Sequence, residues 1–220
     1  GVYNEGTVNI QNTSFKNNSI EPAFPSEPTE TSPDDYTVEG AAVANYGNMT
    51  VSHSVFEDNI TSALYRYIFK IPTPQEDGRQ QETYTMSLGY GGAIANHNNA
   101  VISDSVFKNN IAAQMGGAIY NGADGTLELT GNNEFIGNKA YSEYFVVSTY
   151  KVNGELVEGY DNDYNGFGGA ISNHGTLKVD GAKFDSNIAA LQGGAINSEG
   201  KTDDSGTGKL EVLNSSFSNN

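Results

Sequence analysis

Residues Asp161, Asn162, Asp163, Tyr164, Asn165 and Gly166 place side-chain oxygens at positions 1, 3 and 5 of a short segment, with glycine at position 6. In a wrapped loop that spacing lets alternate oxygens converge on one Ca²⁺ while the glycine takes the sharp bend. The Glu that would close such a loop at position 12 is missing, and Ser172 stands there instead. Asp161, Asp163 and Asn165 are therefore candidate calcium ligands that need further oxygen donors; no other cofactor is expected. Covalent and acid–base chemistry has less to work with. Uronate lyases need a cation to neutralise the carboxylate and a base to take the proton, but the chain has only Arg66 and Arg79. Hydrolases need clustered carboxylates, and the pairs Asp34, Asp35 and Asp203, Asp204 lie far apart in the chain. No nucleophilic triad, phosphate-binding loop or dinucleotide motif is present, so a non-enzymatic protein is expected.

Tyrosine is the richer signal. Ten of the 13 tyrosines fall in three segments, roughly 19–39, 60–90 and 139–167: Tyr36, Tyr65, Tyr67, Tyr84, Tyr90, Tyr141, Tyr144, Tyr150, Tyr160 and Tyr164. Tyrosine joins a large apolar face to a hydroxyl and is enriched where proteins and ligands are gripped. The same residues also serve to pack hairpins. Tyr65, Tyr67, Phe69, Tyr84, Tyr144, Tyr150, Tyr160 and Tyr164 are the candidate binding residues. The first segment is Pro-rich and acidic, hence an irregular loop. The second alternates as a hairpin over 64–71 and 82–86, and the third turns at Asn153-Gly154, a strong hairpin signal.

The elements that carry these segments come from an internal repeat. Phe-x-x-Asn recurs as Phe15 to Asn18, Phe56 to Asn59, Phe107 to Asn110, Phe135 to Asn138, Phe184 to Asn187 and Phe217 to Asn220. Gly-Gly-Ala-Ile precedes it at 91–94, 116–119, 168–171 and 193–196, with Gly-Ala-Ala-Val at 40–43 and a truncated copy at Gly1-Val2. From the closing apolar residue to the Phe is 13 positions in four copies, and the uninterrupted repeats, Ile94 to Ile119 and Ile171 to Ile196, are 25 residues long. Such a period supplies three short strands with their turns, one coil of a solenoid. The fold class expected is all-β: a right-handed parallel β-helix of about six rungs over residues 1–220, with hairpin and loop insertions at one corner. Alternation sends Val2, Val43, Ile94, Ile119, Ile171 and Ile196 inward and Tyr3, Ala44, Ala95, Tyr120, Ser172 and Asn197 outward. The six phenylalanines become one stacked column. Two Asn columns mark corners, where Asn tolerates left-handed backbone and bonds turns. His97 and His174 take equivalent places two rungs apart, ~10 Å by strand spacing, too far to share a metal. Surface positions are expected for both.

Gly-Gly-Ala-Ile coupled to Phe-x-x-Asn resembles the passenger regions of chlamydial polymorphic outer-membrane proteins and related autotransporter-type β-helix adhesins. The resemblance spans nearly all rungs. It implies an extracellular adhesin displayed on a bacterial surface, with a C-terminal membrane barrel outside these residues. The formal charge of −16 (11 basic, 27 acidic residues) disfavours nucleic acid. No apolar run approaches the ~20 residues needed to cross a bilayer. The partner expected is a protein or glycan of a host or neighbouring cell. Both ends fall inside the repeat pattern, so further rungs or end-to-end self-association are also expected. The alternatives are a stalk or filament subunit and a polysaccharide-active β-helix.

Overall fold

The structure, a computed structural model, describes residues 1–20, 38–70, 79–152, 155–199 and 208–220; for 63–70, 79–87, 143–152 and 155–165 it describes the backbone. Each coil lays down short strands that pair in parallel with the coils above and below, giving a parallel β-helix of six rungs. The first wall is built of Val2–Asn4, Val43–Asn45, Ile94–Asn96, Ile119–Asn121, Ile171–Asn173 and Ile196–Ser198. The second runs from Thr7–Gln11 to Lys209–Leu213, and the third, which carries the phenylalanines, from Ser14–Lys16 to Ser216–Ser218. A fourth wall of two-residue strands, Ser19–Ile20, Ile60–Thr61, Ile111–Ala112, Lys139–Ala140 and Ile188–Ala189, was not anticipated from the sequence. It is too short for period-2 alternation to register. It also draws the first residues after each Phe-x-x-Asn into the solenoid, so the hairpin strands start only at Ala63 and Ser142.

Register is locked by what stacks inside. Phe15, Phe56, Phe107, Phe135, Phe184 and Phe217 form one column with ring centroids 4.7–5.0 Å apart and planes within 8° of parallel. The four middle rings are fully buried. Beside them the Asn side chains are also buried, and their amides bond along the stack: Asn59 Nδ2 donates to Asn110 Oδ1 at 2.8 Å, and Asn110 Nδ2 to Asn138 Oδ1 at 2.9 Å. Each Oδ1 also accepts the backbone N–H of the preceding Asn, and each Nδ2 also reaches a Phe carbonyl. Every amide valence is thereby filled without water, as burial demands. The left-handed backbone sits one residue earlier, at Asn17, Asp58, Asn109, Gly137, Ser186 and Asn219. The stacked Asn itself is chosen for its amide.

The Gly pair has two distinct jobs. Gly91, Gly116, Gly168 and Gly193 hold positive φ between 63° and 67°, a region costly for L side chains. The second glycine faces the next rung, and a Cβ on Gly92 would sit on the carbonyl oxygen of Gly117.

Candidate functional site

The two hairpins leave the same corner and fuse. Ala63–Lys70 pairs antiparallel with Arg79–Leu88, Ser142–Val152 with Glu155–Asn165, and Arg79–Leu88 with Ser142–Val152, giving one four-stranded sheet. The solenoid dictates the fusion. Successive roots at residues 63, 88, 142 and 165 stand on rungs two, three, four and five, so they are one rung apart, and rung spacing is strand spacing. The strands leave, return, leave and return, which makes every neighbour antiparallel. The uninterrupted turn at 113–115 keeps the two hairpins in adjacent register.

Pairing then sorts the predicted binding residues by face. Tyr65 lies opposite Met86, which lies opposite Tyr144; Tyr67 lies opposite Tyr84, which lies opposite Val146; Phe69 lies opposite Glu82. Strand alternation therefore puts Tyr65, Tyr67, Phe69, Tyr84, Tyr144 and Tyr150 on one face, and Tyr160 and Tyr164 on the other. The candidate calcium ligands fall on a strand. Asp161, Asp163 and Asn165 lie in the Glu155–Asn165 strand, paired with Val146, Tyr144 and Ser142. An extended strand spaces such residues about 6.8 Å apart along a line, whereas a calcium loop wraps its oxygens around a point. Arg66 and Arg79 also lie in this sheet, while Asp34, Asp35, Asp203, Asp204 and Tyr36 lie outside the described residues.

A second arrangement, on the outside of the first wall, went unseen in the sequence. Tyr3, Tyr46, His97, Tyr120 and His174 form a continuous line of rings, one per rung, with successive centroids 5.5, 4.6, 5.7 and 5.5 Å apart. Tyr90 stacks on Tyr120 at 5.0 Å. The rings come from two outward positions, the middle of the strand (Tyr3, Tyr120) and the residue after the corner Asn (Tyr46, His97, His174). Where the middle is Ala44 or Ala95, the ring follows the corner as Tyr46 or His97. Where the middle is Tyr3 or Tyr120, Glu5 or Gly122 follows. Gly122 is required, because a Cβ there would come within 2.7 Å of His97 Nδ1. Two outward positions two residues apart, read together, would have revealed the line; read singly, neither repeats.

Carboxylates bind its polar edges. Tyr3 Oη donates to Glu5 Oε1 at 2.8 Å, Tyr46 Oη donates to Glu39 Oε2 at 3.0 Å, and His97 Nε2 lies 2.5 Å from the same Glu39 oxygen. Burial, with Glu39 nearby, pushes the Tyr46 hydroxyl up to about 12. Burial does the same to Tyr120, up to about 12, helped by Tyr90 and Glu39. Burial lowers the His174 pKa, against a smaller opposing pull from Glu199. His97, expected on the surface, is thus half-buried between rings and held by Glu39, because Ala95 and Gly122 leave it room. His174 is also half-buried, on the far side of the Tyr120 ring. His53 instead takes a left-handed corner, φ 49°.

The geometry defines a parallel β-helix with hairpins grown from one corner. Residues 104–122, from the corner before Phe107 through the uninterrupted turn to the Gly-Gly-Ala-Ile strand of the fourth rung, match the Chlamydia polymorphic membrane protein repeat. These residues are thus similar to a repeat of the polymorphic outer-membrane protein type. No match is found among curated proteins or among solved structures.

Proposed function

We propose that this chain is a non-enzymatic adhesive segment of a surface-displayed passenger, gripping a protein or glycan of another cell through its fused hairpin sheet. The observation that supports this reading is the gathering of Tyr65, Tyr67, Phe69, Tyr84, Tyr144 and Tyr150 onto one face of a single sheet. A rigid solenoid holds that sheet out from one corner, and binding loops are commonly carried on such scaffolds. Aromatic residues gathered on one surface are the usual anchors of a contact.

The test replaces each hairpin with the natural short turn of residues 113–115, which leaves the rungs paired. Host-cell binding and glycan-array signals should fall at least tenfold in the double replacement. Binding that persists unchanged in a correctly folded double replacement rules the sheet out as the site.

A further inference from the structure

The outer ring line of the first wall is separate from the hairpin sheet and is asymmetric in charge. Its twelve outward positions, Tyr3, Ala44, Ala95, Tyr120, Ser172 and Asn197 in mid-strand and Glu5, Tyr46, His97, Gly122, His174 and Glu199 after the corner, include no Lys or Arg. On the other walls two glutamates are neutralised by neighbouring rungs, Glu57 by Lys16 at 2.6 Å and Lys108 at 3.2 Å and Glu128 by Lys178 at 3.4 Å, whereas Asp104, Asp180 and Asp185 accept from amides and hydroxyls. Glu5, Glu39 and Glu199 form no ion pair with Lys or Arg among the described residues; Glu5 and Glu39 bind ring hydroxyls or imidazole, and Glu199 accepts from the Asn197 amide at 2.9 Å.

Two of the rings are open to a partner. Tyr3 is 64% and Tyr46 42% exposed, large values for tyrosines in a packed wall. The planes are not all parallel: Tyr3 is tilted 41° to Tyr46, Tyr120 is turned 60° to His97 and 51° to His174. Tilted neighbours leave part of a ring face turned outward, where a guanidinium or ammonium is attracted to the π cloud. Five rungs span about 19 Å by strand spacing, the reach of roughly six residues of extended chain.

We propose that this wall is a docking strip for an arginine- or lysine-rich extended segment of a partner polypeptide, its cations lying over Tyr3, Tyr46 and Tyr120 and pairing with Glu5, Glu39 and Glu199. The net charge of −16 draws such a segment in. Rings and carboxylates along one line give it a place to settle. A neutral glycan would use the rings and leave the carboxylates without a cation, and an acidic glycan would be repelled.

The experiment titrates the 220-residue chain with octa-arginine, octa-glutamate and chitohexaose at about 0.15 M salt, where long-range attraction is screened. Affinity is read by calorimetry and contact by NMR of the Tyr and His ring protons. Octa-arginine is expected to bind and to shift the Tyr46 and His97 signals. Its affinity should fall at least tenfold in the Tyr46→Ala, His97→Ala double variant and at least threefold in Glu39→Gln, which keeps the side-chain shape. Glu128→Gln, on the second wall, removes the same charge and should change affinity less than twofold. An equal loss in Glu128→Gln, or no loss in the double variant, overturns the proposal, as does chitohexaose shifting the same rings while octa-arginine does not. The variant with both hairpins replaced but Tyr90 retained against Tyr120 should keep its octa-arginine affinity, so either surface can fail without the other.

Discussion

Two columns of aromatic rings run along this solenoid at nearly the same spacing, one inside the third wall and one outside the first, and they follow opposite rules. The inner column uses one residue type at one position in every rung, Phe15 through Phe217, with planes within 8° of parallel. The outer one draws on Tyr and His from two positions, with tilts from 7° to 60°. An enclosed column has no slack. Each ring must fill the volume left by its neighbours, and a different shape leaves a void or a clash. On the surface solvent fills what the side chains do not, so composition is free to vary and to carry polar edges. Uniformity therefore marks the part that holds the fold, and variety marks the part available for recognition.

The sharpest way to break this contrast is to truncate one ring in each column. Phe107→Ala removes a fully buried ring stacked on both sides, at 4.7 and 4.8 Å. It should cost about 3–5 kcal/mol in chemical denaturation. Tyr46→Ala removes a ring with contacts at 5.5 and 4.6 Å that is about half exposed, and should cost about 1 kcal/mol. Equal losses would mean that the outer column is also part of the core.

Next in size is the amide ladder beside the inner rings. Asn110→Ala leaves the Asn59 backbone N–H and Nδ2, now at 3.1 and 2.8 Å from Asn110 Oδ1, without their acceptor. Each buried orphan costs about 1–3 kcal/mol, and a water entering the vacated space recovers part of that. A net loss of about 2–3 kcal/mol is expected. Amide hydrogen exchange should locate it, with the Asn59 N–H losing protection while the second wall keeps its own. Uniform loss of protection across all walls would contradict a local ladder.

What the sequence disclosed follows from the same division. Phe-x-x-Asn and Gly-Gly-Ala-Ile recur because enclosed columns admit no substitutes, and from them alone the rungs, the inward faces and the hairpin corner can be read. The fourth wall cannot, since two residues carry no alternation and its first position varies between Ile60, Ile111 and Ile188 and the polar Ser19 and Lys139. The insertions were legible as hairpins making one surface at a corner but not as one paired sheet, because joining them depends on counting roots against rung spacing. The Asp-x-Asp-x-Asn spacing at 161–166 suits a wrapped loop and a strand equally, and in the structure residues 161–165 pair as a strand with 142–146. The outer ring line was hidden because Tyr3 and Tyr46 occupy different columns of the repeat.

The smallest effect expected distinguishes the columns by titration. The inner rings and amides carry no ionisable group, so the direct pH sensitivity of the two belongs to the outer line. Burial lowers the His174 pKa from its ordinary 6.5, so the folded state prefers the neutral ring. Its contribution to stability is whole above 6.5 and is lost as pH falls through the lowered folded value. Tyr120 is shifted the other way, from 10.0 up to about 12, so its contribution is whole below 10 and is lost as pH rises toward 12. That alkaline loss is at most about 2 kcal/mol once partial exposure is allowed for. Many carboxylates titrate on the acid side, so the comparison must be differential. Relative to wild type, His174→Gln should flatten the acid limb of a melting-temperature profile below about pH 6.5, and Tyr120→Phe the alkaline limb above about pH 10. Phe107→Leu should lower the whole profile without changing its shape. If that inner variant altered either limb, or if both outer variants left the limbs unchanged, the outer line would not be the part of the solenoid that responds to protons.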